Sequence, residues 1–171
     1  MRTLLIFLTL FAAQAVAQAE GEPSCAETAA YNQLDFWIGE WDVYSNGELV
    51  GTNNIEKILS GCAVLEHWRG IGGGEGKSLF FVTGDRSWKQ VWVTEWATRP
   101  GGVKEKTQLQ IDAADKVRFQ GRIALADGSS YLDRTTLSLL PSGEVRQVIE
   151  TSTDEGETWA RGFDAIYRRK D

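Results

Sequence analysis

Four charged side chains, Glu66, Arg134, Arg146 and Glu150, fall inside runs that otherwise read as β-strand. A charge in such a run must face solvent or find a partner, because burying it alone is costly. Turned inward, Glu66 and Glu150 would be two carboxylates whose surroundings could push their pKa values apart. That is the acid–base arrangement of a hydrolase or isomerase. Alternatively, Glu66, Arg134 and Glu150 would anchor the polar end of a small ligand, with the amides of Gln90 and Gln147 orienting it. Solvent exposure or internal ion pairing is the commoner fate of such residues, and within the functional share binding outweighs catalysis.

Seven tryptophans supply the apolar counterpart. Trp68, Trp92 and Trp96 are placed to line a cavity wall and stack on a flat or apolar ligand. Trp37, Trp41 and Trp88 belong to strand ends or a barrel floor, and core packing is the default for every one of them.

Other chemistries are poorly served. His67 is the only histidine, and no Gly-x-Ser-x-Gly elbow accompanies it. A multi-histidine zinc site is excluded by the same count. Haem ligation through His67 yields to the simpler expectation of a surface histidine, so no metal and no cofactor is implied. The stretch GIGGGEGKS (Gly70 to Ser78) fails as a phosphate loop, because Ile71 stands where a glycine is needed and a strand-like run follows instead of a helix.

The elements that must hold these residues are short strands separated by Gly, Asn and Asp. They run from Trp41 to Tyr44, Gly51 to Leu59, Ala63 to Arg69, Lys77 to Thr83 and Trp88 to Trp96. The remainder are Lys106 to Ile111, Lys116 to Ile123, Ser130 to Leu139, Glu144 to Thr151 and Arg161 to Arg168. Asn46-Gly47 is a strong hairpin signal. Ahead of them, Ala26 to Phe36 can form one short helix with Tyr31 and Leu34 inward. An antiparallel meander of about ten strands leaves two bare edges unless it closes, so an up-and-down barrel is expected. Few of the strands alternate cleanly between apolar and polar, which suits a barrel holding a ligand better than a dry one. A fully packed barrel serving as a structural or interaction module is the remaining alternative.

The first 17 residues read as a signal peptide: Arg2, an apolar run from Leu4 to Ala13, then Ala15-Val16-Ala17 for cleavage, with Ala17-Gln18-Ala19 a second site. Residues 18–30 form an N-terminal segment and 31–171 the barrel domain. No later run would insert into a membrane after cleavage, so an exported protein, periplasmic or secreted, is expected. A net charge of -6 offers no basic patch for nucleic acid. Cys25 and Cys62 lack the spacing of a redox or metal motif, and export favours a disulfide between them.

The stretch STDEGETW, Ser152 to Trp159, resembles the Asp-box of sialidases. A single copy between two strands reads as a hairpin turn in which Asp154 accepts backbone N–H bonds, Gly156 supplies positive φ and Trp159 packs beneath. Gly39-Glu40-Trp41, opening the first strand behind a helix, resembles the Gly-x-Trp signature of lipocalins and other calycins. That resemblance implies a tryptophan plugging the barrel floor with an arginine of the last strand across it, Arg169 first and Arg168 second. With GCAVLEHW, KSLFF, WKQVWV, GEVRQVIETSTDEGETW and FDAIYRR, nearly the whole remaining chain resembles a family of exported bacterial proteins with a lipocalin-like barrel, a domain of unknown function. The family implies a fold and an export route, and supplies no catalytic residue.

Overall fold

A computed structural model describes residues 24–95, 102–110 and 115–170. The signal peptide, residues 18–23 of the N-terminal segment and Trp96 lie outside the described residues.

Ten antiparallel strands close into a single barrel in which every strand pairs with its sequence neighbours and β1 pairs with β10. They are β1 (Gly39–Ser45), β2 (Glu48–Ile58), β3 (Ala63–Gly70), β4 (Glu75–Val82) and β5 (Trp88–Thr94). Then follow β6 (Val103–Leu109), β7 (Lys116–Ala124), β8 (Ser130–Leu139), β9 (Val145–Ser152) and β10 (Ala160–Arg169). Closure removes the edges that an open meander would expose. The β1–β2 hairpin turns on Asn46 at φ 51° and Gly47 at φ 85°, the doubly positive pair that a two-residue turn requires.

The helix expected over 26–36 is broken into three 3₁₀ turns, Cys25–Glu27, Ala29–Asn32 and Asp35–Trp37. Thr28 is extended between the first two, and the segment is bound at many points to one end of the barrel. Cys25 is bonded to Cys62 in the β2–β3 connection. Lys57 of β2 reaches Asn32 and Asp35, each at 2.7 Å, and the Trp88 indole N–H of β5 donates to the Ala30 carbonyl at 2.9 Å. A straight helix could not follow those anchor points. The plug therefore starts at Cys25, inside the segment expected to precede the domain. Closing a loop of 37 residues gives the disulfide about 4 kcal/mol in the chain-entropy account.

The plug contributes Leu34 and Trp37 to an apolar core that it shares with Trp41, Phe80, Trp88 and Phe119, all of them fully buried. Trp37 meets Phe80 edge-on at 5.6 Å and Tyr167 at 6.0 Å, geometry that aromatic quadrupoles favour. Gly39 (φ 138°) turns the chain into β1, and a Cβ there would sit 2.5 Å from Arg169 Nη1. The Arg169 guanidinium lies 4.4 Å over the Trp41 ring and donates to the Ile38 carbonyl. Trp41, in turn, donates its indole N–H to the Trp37 carbonyl at 2.9 Å.

The Ser152 to Trp159 stretch is a β9–β10 hairpin turn. Asp154 accepts from the Thr158 backbone at 2.9 Å and from the Thr158 and Ser152 hydroxyls, which together pull its carboxyl down to about 2. Gly156 has φ 92°, and its carbonyl accepts from the Trp159 indole.

Candidate ligand cavity

The aromatic core fills the plugged end of the barrel. Beyond the aromatic core an internal cavity of about 220 Å³ opens, lined by Glu66, Trp68, Gln90, Trp92, Lys104, Lys106, Thr135, Gln147, Ile149, Phe163 and Tyr167. Strand register puts them there. Glu66, Ser78, Trp92 and Lys104 are successive partners across β3, β4, β5 and β6, so their side chains share the inner face. Gln90 and Lys106 are partners on the same face, as are Thr135 and Ile149, and Ile149 and Phe163.

The two indoles occupy space that glycines vacate. A Cβ on Gly51 would collide with the Trp68 ring, and one on Gly76 with the Trp92 ring. Trp68 also packs edge-on against Phe163 at 6.1 Å. Trp68, Trp92, Ile149 and Phe163 keep some exposure, so they form the apolar wall toward the open end.

Deeper in, the wall is polar. Asp133, 0 % exposed, accepts from Lys104 at 2.6 Å and from Lys106 at 2.5 Å. Lys106 also donates to Thr135 at 2.7 Å. Burial works against the charge of Lys106 and carries its pKa below the ordinary value, although Asp133 resists. At Lys104 burial is again the largest influence, but the Asp133 carboxylate and Tyr131 outweigh it and the pKa rises. Across the cavity Glu66 accepts from the Asn53 amide at 2.7 Å, and Tyr167 donates to Gln147 at 2.7 Å. The Tyr167 phenol is held well above its ordinary pKa by burial and then by Glu66, so it stays a neutral donor. Gln90, 4 % exposed, donates to Ser78 at 3.1 Å, while its carbonyl oxygen is buried without a partner.

Burial pushes the Glu66 carboxyl above its ordinary value, against the Ser78 and Asn53 hydrogen bonds and the Lys106 charge. The folded state then holds this proton to higher pH than the unfolded chain. Its contribution to stability is complete below about 4.3, the unfolded value, and is lost as pH rises through the folded one. Glu66→Gln removes that loss. Denaturant midpoints between pH 5 and 9 should fall less for the variant than for the native protein, and parallel profiles would contradict the burial of a titrating Glu66.

Of the residues the sequence singled out, Glu66, Trp68, Gln90, Trp92 and Gln147 line the cavity. Arg134 and Glu150 do not, which corrects their expected place. They are register partners one residue out of phase with the inward Thr135 and Ile149, and they bond to each other at 2.8 Å on the outer wall. Arg134 also lies 3.8 Å over the Trp159 ring, which anchors the hairpin turn from outside. Glu66 and Glu150 therefore stand on opposite faces of the barrel wall and cannot form an acid–base pair. Arg146 likewise points outward, to Asp164. His67 alternates with Glu66 to the outer face, 3.4 Å from Glu56.

The residues at the cavity that the sequence does not single out are Lys104, Lys106 and Tyr167, with Asp133 behind the lysines. Lys104 and Lys106 alternate with Val103 and Glu105, a pattern that a solvent-facing strand shares. Asp133 adjoins Arg134, and only the phase of β8 tells which of the two faces inward.

The fold and site thus define a closed ten-stranded antiparallel barrel, plugged at one end, with a half-apolar, half-ionic internal cavity. A scan against models of known protein families finds no match, and a search of curated proteins finds none.

Proposed function

We propose that this is an exported, lipocalin-like binding protein whose barrel takes a small, mainly apolar molecule with a polar end. One observation carries the reading: the cavity wall is divided between two glycine-seated indoles and a buried ionic cluster. A packed scaffold would fill this space, since interiors otherwise reach the density of organic crystals. An unpartnered buried acceptor such as Gln90 Oε1 costs about 1–3 kcal/mol, which a ligand donor or a water offsets. The volume lies below the ~300–1,000 Å³ typical of drug-sized sites, which favours a small ligand. The Gly39-x-Trp41 turn beneath Arg169 supports the lipocalin-like assignment, and the Cys25–Cys62 bond supports export. Among the described residues no helix is long and apolar enough to cross a membrane.

Thermal-shift screening of small amphiphiles against the native protein and Trp92→Ala tests the reading. Compounds that raise the native melting temperature should lose most of that effect in the variant, which keeps its fold because Trp92 is only partly buried. Shifts that persist undiminished would place the compounds outside the cavity.

A further inference from the structure

The ionic cluster contains more than the polar end of an arbitrary ligand needs. We infer that the cavity takes the carboxylate of a small flat acid, seated on Lys104 and Lys106 with its ring system against Trp68 and Trp92. This rests on the ligand-binding reading and narrows it to one chemical class.

The lysines carry the argument. Two ammonium groups share one carboxylate, Asp133, and both also line the cavity. Each ammonium has three N–H donors. Lys106 directs two of them to Asp133 and Thr135, and Lys104 bonds Asp133 and Tyr131. A donor on each remains for the cavity.

The charges point the same way. With Asp133 and Glu66 both ionised the cluster is neutral. Burial raises the pKa of Glu66 and lowers that of Lys106, so geometry decides: two ammonium groups converge on the single carboxylate of Asp133. A ligand carboxylate supplies the missing charge, in a low-dielectric site where a charge-assisted bond is strong. Glu66 itself serves this role poorly, being held by Asn53 of β2 and Ser78 of β4.

The remaining wall selects the body of the ligand. Trp68 and Trp92 present indole surfaces suited to stacking, and the small volume disfavours long chains.

Anion binding in this setting is linked to protons. Glu66 faces Asn53, Ser78, Lys106 and Tyr167, while Lys106 faces Lys104, Asp133, Thr135 and Glu66. A bound carboxylate favours the protonated form of both Glu66 and Lys106. Affinity therefore falls as pH rises through either of their folded values.

The test is calorimetric titration of the purified protein with 2-naphthoate and with 2-naphthamide, its neutral isostere, at pH 6 and pH 9. The acid should bind at one site per chain, at least tenfold tighter than the amide at pH 6, with that preference shrinking by pH 9. Lys104→Gln leaves the Lys106–Asp133 pair in place and should cost the acid at least tenfold in affinity while sparing the amide. Gly76→Ala, which drives the Trp92 indole from its seat, should weaken both. Equal binding of acid and amide, or acid binding unchanged by Lys104→Gln, overturns the carboxylate seat and leaves a neutral-ligand barrel standing. Failure of both probes to bind overturns the inference as well. Whether the cavity is a ligand site at all is then decided separately, by what the protein carries when isolated from its own cells.

Discussion

Asp133→Ala should destabilise the barrel by about 3–5 kcal/mol, the cost of breaking a buried ion pair from one side. Asp133 has no exposure, and its two oxygens accept from Lys104 and Lys106 separately. Without it, Lys106 keeps the Thr135 hydroxyl and the charge of Glu66 against a burial that already lowers its pKa. The variant should respond by losing the Lys106 proton. A lysine whose folded pKa drops below its unfolded value binds fewer protons folded than unfolded, so stability rises with pH. The deficit of Asp133→Ala should accordingly shrink as pH approaches 10. Adding Lys106→Met, which removes the stranded charge, should recover most of the loss. Urea denaturation of the three proteins measures all of this. A loss below about 1 kcal/mol, in the range of an exposed surface pair, would contradict the placement of Asp133 as the buried counter-ion of both lysines.

Trp41→Ala should cost a similar amount, about 3–5 kcal/mol, through a different mechanism. The indole is fully buried, meets Tyr167 edge-on at 6.3 Å and joins the plug through its bond to the Trp37 carbonyl. Truncation leaves a void in the aromatic core at the plugged end of the barrel. Trp41→Phe keeps much of the volume but abandons the Trp37 carbonyl, and should fall between alanine and the native protein. Arg169→Ala removes the guanidinium above the ring, an exposed cation–π contact worth roughly 0.5–1 kcal/mol. If Arg169→Ala were as harmful as Trp41→Ala, the floor would depend on the arginine rather than on indole packing.

The strands are legible in the sequence. Asn46-Gly47, the Ser152 to Trp159 turn and the short apolar runs between them fix where strands stop, because turn chemistry is local. Closure followed from the absence of a partner for either edge. The inner residues were harder, since one step in phase sends a side chain through the wall. Glu66 stands out in the sequence only as a charge inside a strand run, and it is the burial of Val64 two residues before it that shows this face of β3 to be the inner one. Arg134 and Glu150 were misplaced because Thr135, Thr136 and Val148 give no comparable lead, so polarity alone does not set the phase of β8 and β9. The lysine pair was invisible for the same reason, as Lys104 and Lys106 acquire meaning only when β8 brings Asp133 within reach. The broken N-terminal helix depended on long-range anchors, among them Lys57, Trp88 and Cys62, that no local periodicity records.

The cavity as a ligand site is the central claim, and native mass spectrometry of the protein isolated from its own cells tests it most directly. Spectra under gentle and then denaturing conditions should show one stoichiometric small molecule that leaves on unfolding and is absent from Trp92→Ala. Fragmentation of the released molecule, read for loss of carbon dioxide, would show whether it carries a carboxyl group. Bare protein under gentle conditions, coupled with no thermal shift from any small amphiphile, would contradict the claim and return the barrel to the role of a scaffold.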